Sequence, residues 1–158
     1  SLELDVITHN AVINACAKDG QWQPALGVLA HLRQRSLVPS VITQNSAISS
    51  CEKGCQWLRA LTLLSEALRS KLEATVITFS AAISACEKGG QWQQAILLLA
   101  EMLLNGLNPN LITYSAAISA CEKCEEWQQA LSLLADMSQQ SLKLDVITYN
   151  AAISACAK

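Results

Sequence analysis

Apolar and polar positions follow a helical period along the chain, and the pattern restarts every 35 residues. It is clearest between Val76 and Asn110. "FSAAISACEK" (Phe79 to Lys88) is rich in alanine and other small residues, and Phe79, Ile83 and Cys86 mark one apolar helical face. Gly89–Gly90 interrupts that face. "WQQAILLLAEML" follows, with Trp92, Ala95, Ile96, Leu99 and Met102 at i, i+3, i+4, i+7 and i+10, a second amphipathic helix. "NGLNPN" ends it with Gly106 and Pro109. "VIT" at the head of the unit favours β structure, but three residues are too few for a useful strand, and the period after it is 3.6.

The same opening recurs as "VITHNAVINAC" from Val6, "VITQNSAISSC" from Val41, "LITYSAAISAC" from Leu111 and "VITYNAAISAC" from Val146. The complete units are therefore 6–40, 41–75, 76–110 and 111–145. "SLELD" at 1–5 matches "SLKLD" at 141–145 and reads as the tail of a preceding unit, while 146–158 reads as the first helix of a fifth. A helix pair of this size cannot bury both its faces alone. Stacked neighbours bury a continuous core, which predicts an all-α solenoid of helix-turn-helix repeats. Trp22, Trp57, Trp92 and Trp127 each start a second helix and are expected to pack between helices.

Composition agrees with a packed chain. Of 158 residues, 51% are hydrophobic and 15% charged, which excludes a disordered chain and suffices for a core. The formal net charge of −2 is a poor start for a nucleic-acid binder. The most apolar run, "AILLLAEMLL", is broken by Glu101 and too short to span a bilayer, so no membrane insertion is expected. Five of the seven cysteines (Cys16, Cys51, Cys86, Cys121 and Cys156) recur at the repeat period. They fill one slot of a unit and form no disulfide framework.

Each first helix also carries a polar stripe. Ser80, Ser84 and Lys88 stand at i, i+4 and i+8, along roughly 12 Å of helix. The equivalents are Asn10, Asn14 and Lys18; Asn45, Ser49 and Lys53; Ser115, Ser119 and Lys123; and Asn150, Ser154 and Lys158. Stacking turns these into columns on one surface. Asn and Ser can exchange hydrogen bonds with base edges, and lysines can neutralise phosphates. Five of the 11 Lys/Arg lie in the one column, so the net charge conceals a concentrated pattern. Glu52, Glu87 and Glu122 precede three of those lysines and would weaken the field. A solvated face with charge at its helix ends is the plain alternative.

The unit resembles the pentatricopeptide repeat: an opening like "VITYN", then K-x-G-x-W-x-x-A-L, then a tail like Gly106–Leu107–Asn108–Pro109–Asn110. The resemblance covers the whole chain. Tetratricopeptide repeats have a period of 34 and a tryptophan and glycine-tyrosine pattern not present in this chain. The family fold is a right-handed superhelix, and the family binds single-stranded RNA with one base per repeat. The resemblance implies reading pairs Asn10 with Ser40, Asn45 with Thr75, Ser80 with Asn110 and Ser115 with Asp145. Asn150 lacks its partner, and Asp5 belongs to the preceding unit. Ile7, Ile42, Ile77, Ile112 and Ile147 correspond to residues that wedge between bases, and Lys18, Lys53, Lys88, Lys123 and Lys158 to phosphate contacts. The family's pairing preferences imply a site 5′-C-(C/U)-A-G-3′, in the RNA metabolism of a mitochondrion or chloroplast and as part of a longer array. The chain departs from the family tail at Ala74 and Leu144, in place of proline, and at Lys71 and Ser141, in place of glycine.

No catalytic constellation, cofactor motif or metal site is expected. His9 shares a slot with Gln44, Phe79, Tyr114 and Tyr149 and reads as a packing residue, and His31 does not recur. Cys121 and Cys124 form a Cys-x-x-Cys without a second pair nearby. A scaffold subunit of a large organellar protein assembly stays open as the alternative function, favoured by the acidic balance and the glutamates.

Overall fold

The computed structural model describes the backbone of residues 2–140, 142 and 145–157, and the side chains from residue 7 onward over the same ranges. Its helices are α1 (Leu2–Lys18), α2 (Trp22–Gln34), α3 (Val41–Lys53), α4 (Trp57–Arg69), α5 (Val76–Lys88), α6 (Trp92–Leu104), α7 (Leu111–Lys123), α8 (Trp127–Gln139) and α9 (Val146–Cys156). The described residues contain no strand. The odd-numbered first helices stack directly on one another. Each even-numbered second helix packs on its own first helix and on the next one, so it lies in the notch between two first helices. The result is an all-α solenoid of two layers.

Small residues make the inner layer dense. Ala47, Ala82, Ala117 and Ala152 are buried at equivalent positions, with Ala85, Ala120 and Ala155 one turn on. Ser50 takes the place of that second alanine and returns its hydroxyl to Ala47 O at 2.7 Å, which satisfies the buried group locally. Ile13, Ile48, Ile83 and Ile118, together with Cys51, Cys86 and Cys121, face the second helices and are fully buried. The second helices answer with Ala25, Leu29 and Leu32, and with Ala95, Leu99 and Met102.

Among the described residues, the helices α1 to α7 are each followed, two positions on, by a left-handed residue. After α5, Gly90 has φ +64°, and Gln91 N–H donates to Cys86 O at 2.9 Å. After α6, Gly106 has φ +73°, and Leu107 N–H donates to Met102 O at 3.1 Å. These six-to-one bonds satisfy helix-end carbonyls and close each helix sharply. Lys71 holds the same conformation at φ 55°, so losing the glycine does not lose the turn.

The structure moves two boundaries. "VIT", or "LIT" in α7, is the first turn of α3, α5, α7 and α9, because a cap residue precedes it and its threonine completes the cap, as described below. Residues 2–5 continue α1 as helix, whereas the matching residues 37–40, 72–75 and 107–110 run as non-helical connections. Ser141 and Leu144 lie outside the described residues.

Candidate nucleic-acid interface

Ile42, Ile77, Ile112 and Ile147 occupy the second position of α3, α5, α7 and α9, each beside a buried threonine. Ile7 takes the equivalent place within the longer α1, beside the exposed Thr8. Ile7, Ile42, Ile77, Ile112 and Ile147 are between 61% and 73% exposed. A solenoid that buries its alanines and leaves five isoleucines in one exposed row presents apolar surface at regular spacing. Between these rungs lie the polar residues. An open groove of about 460 Å³ brings together Asn14, Lys18, Asn45, Ser49, Lys53 and Ile77. It thus joins the stripes of two units to the isoleucine of a third.

Ser40, Thr75, Asn110 and Asp145, the second members of the pairs, are the N-caps of α3, α5, α7 and α9. Each has extended backbone and accepts the amide N–H of the third helical residue, Thr43, Thr78, Thr113 or Thr148. In α3, α5 and α7 the threonine hydroxyl also takes the cap's own N–H, which closes a capping box with Thr in the place usual for Glu or Gln. These caps hold the four side chains in register at the helix mouths.

Of the first members, Asn45, Ser80, Ser115 and Asn150 sit one turn into their helices, and Asn10 lies at the equivalent place, deeper in the longer α1. Asn10 Oδ1 accepts a hydrogen bond from the Thr43 hydroxyl of the next unit. Ser115 Oγ lies 2.6 Å from Thr148 Oγ1. In these two units the buried threonine therefore ties together both members of a pair. Ser80 instead donates to Val76 O of its own helix at 2.6 Å. Asn45 Oδ1 is enclosed and has no hydrogen-bond partner among the described residues. Asn150 is exposed near the end of the described chain. Asp145 has its carboxyl held below the ordinary aspartate value, chiefly by the Thr148 hydroxyl and then by the Thr148 amide.

The lysines form a ladder. Lys88 Nζ reaches Glu52 Oε1 at 2.8 Å, and Lys123 pairs in the same way with Glu87. Each bond joins one unit to the unit before it. Lys53 meets Ala17 where a glutamate would stand, and donates to Lys18 O at 3.1 Å, at the end of α1. The glutamates thus act between units and not on the adjacent lysine. Lys18, Lys53, Lys88 and Lys123 keep exposed surface. Lys158 and the side chain of Asp5 lie outside the described residues.

The threonines were missed in the sequence, although Thr8, Thr43, Thr78, Thr113 and Thr148 recur in every opening. A cap residue three positions ahead of each was the available signal. The other sequence candidates stay structural. His9 and His31 stack with ring centroids 5.4 Å apart. Cys51, Cys86 and Cys121 are buried, and burial pushes the thiols of Cys86 and Cys121 up to about 11. Among the described residues no three His, Cys, Asp or Glu side chains gather as a metal site would require, and no helix is long and apolar enough to cross a membrane.

Known proteins share this pattern. Residues 74–123 and 116–158 match the model of the PPR repeat family, and residues 1–53 match that of the pentatricopeptide repeat domain. Over 39 residues the chain is 51% identical to a chloroplastic pentatricopeptide repeat-containing protein of Arabidopsis thaliana, covering 25% of this chain and 4% of that protein. The crystal structure of the maize pentatricopeptide repeat protein PPR10 superposes with a TM-score of 0.82 at 23% identity, over 95% of this chain and 22% of that one. PPR10 in complex with an 18-nt psaJ RNA element gives 0.79 at 24% identity, over 94% and 22%. The PPR domain of Arabidopsis thaliana protein-only RNase P 1, in complex with tRNA, gives 0.82 at 16% identity, over 92% and 77%. At these identities the structures establish the fold, and the chain spans a small part of its chloroplastic relative and of PPR10. The family-model matches run continuously from residue 74 to 158, more than half of the sequence, and resume over 1–53: the chain belongs to the pentatricopeptide repeat family.

Proposed function

We propose that the array binds single-stranded RNA in sequence-selective fashion, one base per unit. The observation that carries this is the exposed isoleucine row with a capped polar pair between successive rungs. A base stacked between Ile42 and Ile77 would meet Asn45 and Thr75 at its edge, and the other units repeat the arrangement. Two structural neighbours were solved with RNA bound, which supports the reading. With the family's pairing preferences, the site is 5′-C-(C/U)-A-G-3′. Four bases distinguish only a few hundred sequences, so adjoining repeats would be needed to select one transcript. The chloroplastic relative favours an organelle, chloroplast or mitochondrion, as the place of action. The reading assigns the array no reaction of its own.

Titration of the protein with RNAs containing CCAG or CUAG, against scrambled RNA at moderate salt, tests this. Preference for the two sites is the expected result, and equal or absent binding overturns it. Ser80→Asn combined with Asn110→Asp should move the third base from adenine toward uracil.

The lysine ladder favours a second reading. Lys88 and Lys123 already hold carboxylates, as in a scaffold whose face docks on protein. Stoichiometric protein partners without RNA, on purification from the source, would support that reading.

A further inference from the structure

We infer that the buried threonines Thr43 and Thr148 are positioning residues whose hydroxyls fix which hydrogen-bonding group the first and fourth reading pairs turn toward a base. The inference rests on the RNA-binding reading and deepens it. A hydroxyl has one hydrogen to give and two lone pairs with which to accept. Its single hydrogen makes the threonine a one-way connection between the two members of a pair.

In the unit closed by α9, Thr148 gives its hydrogen to Asp145 Oδ1 at 2.6 Å. Ser115 Oγ, 2.6 Å from the same hydroxyl, must then be the donor to Thr148. Ser115 has spent its hydrogen and keeps only lone pairs, and Asp145 keeps Oδ2. The pair therefore presents acceptor and acceptor. The base whose Watson–Crick edge sets two donors side by side is guanine, with N1–H and the N2 amino group.

The first unit is wired the other way. Thr43 gives its hydrogen to Asn10 Oδ1, so the Ser40 hydroxyl, 2.8 Å from Thr43 Oγ1, donates to it. Asn10 is left with its amide hydrogens and Ser40 with a lone pair: donor first, acceptor second. In the third unit Thr113 turns to the Asn110 carbonyl at 2.7 Å, and the cap occupies Asn110 Oδ1. The Asn110 amide hydrogens stay available, while Ser80 has given its hydrogen to Val76 O. The order is now acceptor first, donor second, which suits the N6 amino group and N1 of adenine. Three units thus show three patterns. In the first and fourth the threonine hydroxyl settles the first member, whereas in the third the hydroxyl turns to backbone and the Thr113 amide holds Asn110. In the second unit no hydroxyl reaches Asn45 Oδ1, so that amide is not pinned in this way.

The test is Thr148→Val, which keeps the shape and removes the hydroxyl, with Thr148→Ser as its conservative partner. Affinity is measured for CCAG and CCAA RNAs. The unaltered protein and Thr148→Ser should prefer guanine by about tenfold or more. Thr148→Val should lose most of that preference and keep its discrimination at the third base. Circular dichroism verifies the fold. If the valine variant does not fold, Thr43→Val is measured at the first base, where pyrimidine preference should fall. A valine variant that binds RNA with undiminished base preference overturns the inference and leaves RNA binding standing. Absence of binding by the unaltered protein overturns both.

Discussion

Trp57 packs against Gly89 of the next unit, so closely that a β-carbon there would stand 2.4 Å from indole Cδ1. Trp22 and Gly54 repeat the relationship, also at 2.4 Å. Trp22 and Trp57 are therefore inter-unit braces, each ring covering the end of the following first helix. Trp92 also packs on the core, whereas Trp127, expected to pack between helices, is exposed. Arg59 adds its guanidinium 4.6 Å above the Trp22 ring.

Gly89→Ala should accordingly destabilise the array, by roughly 1–3 kcal/mol, as overpacked sites do. Gly27→Ala is the control. It sits inside α2 with nothing within 4 Å of the added carbon, and should stabilise by up to about 1 kcal/mol through helix propensity. Urea midpoints for the two variants should move in opposite directions. If both move the same way, the indole does not brace the glycine.

The period, the helix pairs and the apolar faces were all legible, because each rests on spacing within one unit. Phe79, Ile83 and Cys86 are fully buried as the pattern required. What escaped lies between units. Glu52 stands next to Lys53 in sequence yet holds Lys88, 36 positions away, since adjacent residues on a helix point apart while stacked units bring equivalent turns together. "VIT" was hidden for another reason. Valine and isoleucine favour strands, but a cap at position 40, 75, 110 or 145 that accepts the N–H of the following threonine outweighs that preference. The reading pairs were legible only through the family. Their wiring through threonine joins neighbouring units, and no spacing within one unit reveals it.

The ladder predicts a gain from removing charge. Glu52→Gln with Glu87→Gln frees Lys88 and Lys123 and lifts two negative charges from the face. Partly exposed pairs of this kind contribute about 0–1 kcal/mol, so stability should change little. RNA affinity at low salt should rise, and the slope of log K against log salt should steepen by up to about two phosphate equivalents. An unchanged slope would mean that the lysines stay off the phosphates and would favour the scaffold.

Thiol chemistry should separate the cysteines by layer. Cys55 and Cys156 are exposed, whereas Cys51, Cys86 and Cys121 are buried with raised thiol values, so few of the buried groups are ionised at pH 8. A disulfide reagent should label Cys55 and Cys156 first. The three buried groups should follow only at the rate of local opening, accelerated by urea. Fast labelling of Cys86 in the folded protein would contradict the packing.

Asp145 supplies the pH test. Hydrogen bonds from the Thr148 hydroxyl and amide hold its carboxyl below the ordinary value of 3.8. A depressed carboxyl stabilises the fold fully above the unfolded value, and the contribution disappears as pH falls through the lower folded value. Asp145→Asn retains a cap, as Asn110 does on α7, but carries no charge. The melting temperature of the unaltered protein should therefore exceed that of the variant near neutral pH. The gap should hold down to the ordinary aspartate range and close below it. At neutral pH the variant should also turn the fourth base from guanine toward adenine. The substitution gives the fourth unit the serine–asparagine pair that Ser80 and Asn110 form in the third.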